Sequence, residues 1–222
     1  MKLGVLFSGG KDSTYAAYLA VKSGYELSCL ISVSSEKLDS WMFHTPNIGL
    51  VGRQAEAMGV PIIVQKTHGN KEEELGDLEK AIKQAIKKYK IGGIVTGAVE
   101  SVYQASRIQS ICNRLKIECF NPLWQKIQVE LLEELIKNKF KVVIAGVFAY
   151  PFDKGWVGQE IDLGFVDEIS QLNKKYKINP AGEGGEFESF VLNCPLFKKE
   201  LKIQSKKIFG EGNSWKMEIA LK

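Results

Sequence analysis

Leu3-Gly4-Val5-Leu6-Phe7-Ser8-Gly9-Gly10-Lys11-Asp12-Ser13 stands at the start of the chain, and its reading decides the fold. Leu3 to Phe7 is an apolar run of the kind found in a buried strand. Ser13 to Lys22 then carries Tyr15, Tyr18, Leu19 and Val21 at helical spacing, with Gly24 as a stop. Strand, glycine turn and helix in that order are what anion binding at a helix N-terminus requires. Glycines let backbone N–H groups approach phosphate oxygens, and the free amides of the first turn favour negative charge. Lys11 and the hydroxyls of Ser8 and Ser13 add side-chain donors.

Outward from this loop, short apolar runs alternate with longer amphipathic ones. Leu27 to Val33, Val60 to Val64 and Ile94 to Thr96 read as strands. Asn47 to Met58, Lys71 to Tyr89 and Val102 to Leu115 read as helices, and Gly59 and the pair Gly92-Gly93 mark stops. That alternation predicts an α/β fold with a Rossmann-like parallel sheet and helices on both faces. Ligands in such sheets bind beyond the carboxyl ends of the strands. After Asn121-Pro122-Leu123-Trp124 the texture changes. A helix is expected over 128–138, a strand over 142–145 and a helix over 165–176. The cluster Gly182-Glu183-Gly184-Gly185-Glu186 follows, then strands over 189–192, 199–208 and 215–221. Consecutive strands favour an antiparallel sheet. The expected division is therefore residues 1–120 as a nucleotide-binding α/β domain and residues 121–222 as a smaller α+β domain.

Composition sets the frame. A chain of 222 residues with 45% hydrophobic and 25% charged residues is an ordinary globular one. Thirty basic residues against 26 acids give a net charge of +4, far from the basic stripe of a nucleic-acid binder, so no stable nucleic-acid binding is expected. Neither a signal peptide nor a membrane span is read, and a cytoplasmic location is expected. The four cysteines lack any Cys-x-x-Cys pair, so reduced, mostly buried thiols are expected. Oligomeric state, self-association included, stays open.

Gly4 and Gly9 have the separation of a Walker A loop, but Gly10 intervenes before Lys11 and Asp12 follows it, so the match is poor. Ser8 to Ser13 instead resembles the Ser-Gly-Gly-x-Asp-Ser loop of the N-type ATP pyrophosphatases, which split ATP to AMP and pyrophosphate. The segments Ser40 to Asn47, Gly97 to Gln104 with Arg107, and Gly182 to Ser189 look like the diphthine–ammonia ligase family, over nearly the whole chain. The last motif departs from the family's more frequent Glu-Tyr-Glu-Thr ending, with Phe187 and Ser189 in its place. No tyrosine hydroxyl is then required there.

The resemblance implies an ATP-dependent carbon–nitrogen ligase. It would adenylate the diphthine carboxylate of elongation factor 2 and let ammonium displace AMP, with ATP and Mg²⁺ as cofactors. No glutaminase domain is seen, so free ammonium is the expected nitrogen source. Expected nucleotide contacts are Ser8, Gly9, Gly10, Lys11, Asp12, Ser13, Ser32, His44 and Gly97, with Asp12 also helping to place Mg²⁺. Lys11, Asp12, Glu183 and Glu186 are the expected catalytic residues. Glu100, Ser101, Tyr103, Gln104, Arg107 and Glu188 are the expected substrate contacts. Arg107 suits a phosphate or carboxylate by bidentate pairing, and a loop that sheds a proton from ammonium needs carboxylates. His44 as a solvated loop residue, and Glu100 to Arg107 as a solvated helical face, are the plainer alternatives. The competing functions are a tRNA-modifying enzyme with the same loop and a nucleotide-binding sensor without catalysis.

Overall fold

The computed structural model describes residues 1–35, 47–67 and 71–222. His44, with most of the Ser40 to Asn47 motif, lies outside the described residues.

Five strands form a parallel sheet: β1 (Lys2–Leu6), β2 (Glu26–Ser35), β3 (Ile62–Thr67), β4 (Gly93–Val95) and β5 (Glu118–Phe120), in the order β3-β2-β1-β4-β5. The helices between them are α1 (Lys11–Lys22), α2 (Val51–Met58), α3 (Lys71–Tyr89) and α4 (Val102–Leu115). Strand alternation sorts the side chains between two faces. Leu3, Val5 and Leu30 pack with Tyr15, Ala16 and Ala17 of α1 and Val51 and Ala55 of α2. Ile31, Val33 and Ile94 pack on the other face with Leu78 and Ile82 of α3 and Ile108 and Ile111 of α4. Each fully buried aliphatic side chain of this kind contributes roughly 1.5–3 kcal/mol. The strand order reverses between β1 and β4, so the loops after those strands face each other at the switch point where α/β sheets bind ligands.

The rest of the chain supplies α5 (Gln128–Lys137), β6 (Lys141–Val147), α6 (Leu163–Tyr176), β7 (Phe187–Asn193), β8 (Ile203–Glu211) and β9 (Ser214–Leu221). Its four strands form an antiparallel sheet, β7-β6-β9-β8. One buried cluster runs through both sheets, joining Leu3, Val5 and Tyr15 to Leu123, Leu131, Val143 and Phe190. Polar ties cross the same boundary: the Tyr15 hydroxyl donates to Glu134 at 2.6 Å and that of Tyr18 to Asn138 at 2.9 Å.

Several boundaries differ from expectation for local reasons. β3 begins at Ile62 because Pro61 has no N–H to donate, although its carbonyl still accepts from the Leu30 amide. The helix expected from Asn47 begins at Val51. Asn47 has φ 66° and is spent on β9, donating to the Met217 carbonyl and accepting from the Ile219 amide. The three-residue β5 has no sequence periodicity by which to recognise it.

Candidate functional site

The loop Ser8 to Ser13 is held closed by its own side chains and from behind. Ser13 Oγ accepts from the Ser8 amide at 3.2 Å and lies 3.1 Å from Ser8 Oγ. Gly9 has φ 80°, and a Cβ there would collide with the Gln54 amide of α2. Gly97, after β4, presses against the first turn of α1: its Cβ would lie 2.6 Å from the Ser13 nitrogen. Gly10 is the N-cap of α1 and has no side chain to cap with. The Lys11 amide is accepted instead by Ser189 Oγ of β7, at 3.1 Å.

Lys11 is buried. Its ammonium lies 2.7 Å from Asp12 Oδ2 and 5.6 Å above the Phe187 ring. Burial works against this charge, but Asp12, Glu183 and Glu188 outweigh it and hold the amine above its ordinary pKa. Glu183 and Glu188 are pushed up to about 7. Withdrawal from water is the main cause in both; the charge of Asp12 adds to it, and Lys11 opposes it. Near neutrality each can therefore take up or release a proton.

These groups line one cavity of about 920 Å³. At its polar end stand Ser8, Gly10, Lys11, Asp12, Glu183 and Glu188. Ser13, Gly97, Ser101, Tyr103 and Gln104 line it as well. At its apolar end Leu6, Ile31, Val33, Leu78 and Ile108 come from the sheet, α3 and α4. A polar end beside a glycine loop and an apolar end of this size suit a nucleotide.

Other expected site residues stand elsewhere. Ser32 lies between Ile31 and Val33, which line the cavity, so strand alternation turns it to the opposite face, where it is buried. Glu186 is outside the lining: its carboxylate accepts from the Asn179 amide at 3.0 Å and the Gly184 amide at 2.8 Å, bracing the acidic loop. Glu100 accepts from Gln128 at 2.6 Å and Asn179 at 3.5 Å. Arg107 stacks 3.7 Å from the centre of the Tyr103 ring and is outside the lining. Gly9 is also set back from the cavity.

Besides the aliphatic lining, Gln54, Ser189, Phe148 and Lys216 are contributors that the sequence does not reveal. The last three line the cavity, with the Lys216 ammonium 5.5 Å over the Phe148 ring. Helix period and strand alternation report which face a residue takes, not which distant loop it meets.

Among the described residues no three His, Cys, Asp or Glu side chains gather as a metal cage. Asp12 nonetheless has one buried carboxylate oxygen, Oδ1, with no hydrogen-bond partner among the described residues. That donor fits a Mg²⁺ ion carried in by polyphosphate, which keeps most of its ligands from phosphate and water.

The model of the diphthamide synthase N-terminal domain matches residues 1–119, and that of the diphthamide synthase C-terminal domain matches residues 128–220. The diphthine–ammonia ligases of Bos taurus and Homo sapiens are each 33% identical to this chain over 230 residues, 94% of this chain and 85% of theirs. That of Schizosaccharomyces pombe is 30% identical over 94% of this chain, which spans 37% of the longer fungal protein. A solved structure described as a subunit of a tRNA methyltransferase from Methanocaldococcus jannaschii is similar with TM-score 0.46 and 21% identity, over 90% of this chain and 99% of that one.

Proposed function

This chain belongs to the diphthamide synthase family, and on that premise we propose how its cavity carries out the ATP-dependent amidation of diphthine. The observation that carries the reading is that the nucleotide loop and two carboxyls with pKa values of about 7 line the same cavity, both beside Lys11.

ATP enters with its base among Ile31, Val33, Leu78 and Ile108 and its phosphates on the loop at the front of α1. Gly10, Lys11, Ser8 and Ser13 hold the β- and γ-phosphates, and Asp12 would help hold a Mg²⁺ ion, which when bound would neutralise phosphate charge. The diphthine carboxylate, presented by elongation factor 2, attacks the α-phosphorus. An O–P bond forms, the bond to the β-phosphate oxygen breaks, and pyrophosphate leaves. A carboxylate resists attack by ammonia; the mixed anhydride does not, because AMP is a good leaving group. Glu183 or Glu188, in its ionised form, takes a proton from ammonium. The freed ammonia forms the C–N bond, the C–O bond to AMP breaks, and the other of the two carboxylates takes the proton that the new nitrogen sheds to become the amide. Positioning and charge stabilisation supply most of the acceleration.

Residues 1–120 bind the nucleotide in this scheme. Residues 121–222 supply the acidic loop and, with Ser101, Tyr103 and Gln104, meet the protein substrate. A cytoplasmic location follows from the need to reach elongation factor 2, and the four free cysteines are consistent with it.

Pyrophosphate release measured with diphthine-bearing elongation factor 2, with bulk tRNA and with neither tests the reading. Release only in the first, dependent on ammonium for product, is expected. Release with tRNA, or with nothing added, would contradict it.

A further inference from the structure

Gln54 stands in α2 between Val51, Ala55 and Met58, all part of the core, and has no exposed surface. An amide in such surroundings is unfavourable unless its hydrogens are taken. Both are. Nε2 donates to the Gly9 carbonyl at 2.9 Å and to the Val191 carbonyl at 2.8 Å. The Val191 amide also donates to the Gly9 carbonyl, at 3.1 Å. The remaining atom, Oε1, has no hydrogen-bond partner among the described residues and fills the space where a side chain at Gly9 would go.

Two donors on one carbonyl fix a peptide plane. In a planar trans peptide the carbonyl and the following N–H point in opposite directions. Holding the Gly9 oxygen on the core side therefore turns the Gly10 N–H towards the cavity that Gly10 lines. That N–H makes only a 3.4 Å contact with Ser8 Oγ, so it is available to a stronger acceptor. Glycine accepts either sign of φ, and this peptide has a glycine on both sides, at φ 80° and −80°. Nothing in the side chains of Gly9 and Gly10 resists a flip, and the restraint comes from outside the loop.

We infer that Gln54 is a positioning residue: through the Gly9 carbonyl it aims the Gly10 N–H at the pyrophosphate end of ATP. This rests on the reading that the loop holds the phosphates, and adds what orients it. Gln54 itself lies behind the loop and outside the cavity lining, so its effect passes through the peptide it anchors. The same amide ties the loop to β7, the strand that carries Glu188 and Ser189.

The test is calorimetric titration of the full chain, in Mg²⁺, with inorganic pyrophosphate and separately with AMP. Gln54→Met keeps the side chain's volume and removes both donors. Pyrophosphate binding should weaken about tenfold or more, as when one hydrogen bond to a charged group is lost, while AMP binding stays within about twofold. Unchanged pyrophosphate affinity, or equal losses for the two ligands, would overturn the inference. A wild-type chain that binds no pyrophosphate would defeat the reading of the loop itself. Should the variant not fold, a crystal structure of the wild-type chain with pyrophosphate decides the matter. The Gly10 nitrogen should lie within hydrogen-bond distance of a phosphate oxygen while Gln54 still holds the Gly9 carbonyl; a peptide turned the other way would refute it.

Discussion

The two glycine-rich loops of the cavity have a similar texture in sequence and work by different physics. At Ser8 to Ser13 close approach demands glycine, at Gly9 against Gln54 and at Gly97 from beyond β4 against the loop's far side, and the chemistry we propose for it lies in backbone amides and one buried lysine. In Gly182 to Ser189, Gly182 and Gly185 take φ 74° and 83° to form a turn that Glu186 braces, and the chemistry we propose for it lies in the titration of Glu183 and Glu188. The first loop should tolerate changes of pH and reject added atoms. The second should respond to every change of charge, and at Gly182, where an added Cβ would lie 2.9 Å from the Phe187 carbonyl oxygen, to added atoms as well.

The largest effect expected from this contrast is that of Lys11→Ala. It removes the cation shared by Asp12, Glu183 and Glu188 as well as a phosphate donor, and should lower pyrophosphate release about a thousandfold, the upper range for a preorganised transition-state donor. A loss below tenfold would show that backbone amides alone suffice.

Gly97→Ala tests the steric half of the comparison. With backbone 2.6 Å from the added carbon, neither side has a flexible end to move aside. Overpacking should cost about 1–3 kcal/mol, with a fall in Tm of about 2–4 °C for each kcal/mol in a chain of this size. Thermal unfolding measures it, and an unchanged Tm would mean the loops can separate freely.

The pH dependence tests the other half. Glu183 and Glu188 keep their protons up to about 7 in the folded chain, whereas the unfolded chain releases them in the usual carboxylate range. The folded state binds more protons between those limits, so stability is highest below the window and falls as pH rises through it. Tm at pH 5 should exceed Tm at pH 8, and a Glu183→Gln, Glu188→Gln double variant should narrow the gap. Amide formation should run the opposite way, rising through the same window as the base form appears. A Tm difference equally large in the double variant would assign the titration to other groups.

The smallest effect is expected of Glu186→Gln. The side chain keeps one acceptor for the Asn179 and Gly184 amides, so the brace loses about one hydrogen bond, roughly 1 kcal/mol, and turnover should fall less than about threefold. A larger loss, at unchanged Tm, would return Glu186 to the chemistry.

What could be read from the sequence was contiguous. Strand, loop and helix from Leu3 to Lys22 lie within one stretch, and the acidic cluster is just as compact. What could not be read came from pairs far apart in the chain. Ser189 caps α1 across 178 positions, Gln54 reaches the loop across 45, and Lys216 enters the cavity from the last strand. Residue type fits the chemistry at Glu100, Glu186 and Arg107, yet Gln128, Asn179 and Tyr103 engage those side chains first. Ser32 shows the same limit within one strand: alternation separates it from Ile31 and Val33, but which face opens on the cavity depends on α3 and α4.

The most direct test of the division of labour between the loops is a single-turnover rapid-quench experiment on the Glu183→Gln, Glu188→Gln double variant, with diphthine labelled by ¹⁸O in its carboxylate. Pyrophosphate should appear at close to the wild-type rate and the label should be recovered in AMP, while amide forms about a hundredfold more slowly, in the range of a lost general base. Pyrophosphate and amide slowing together, or AMP free of label, would contradict an adenylating loop and a separate acidic loop acting in sequence.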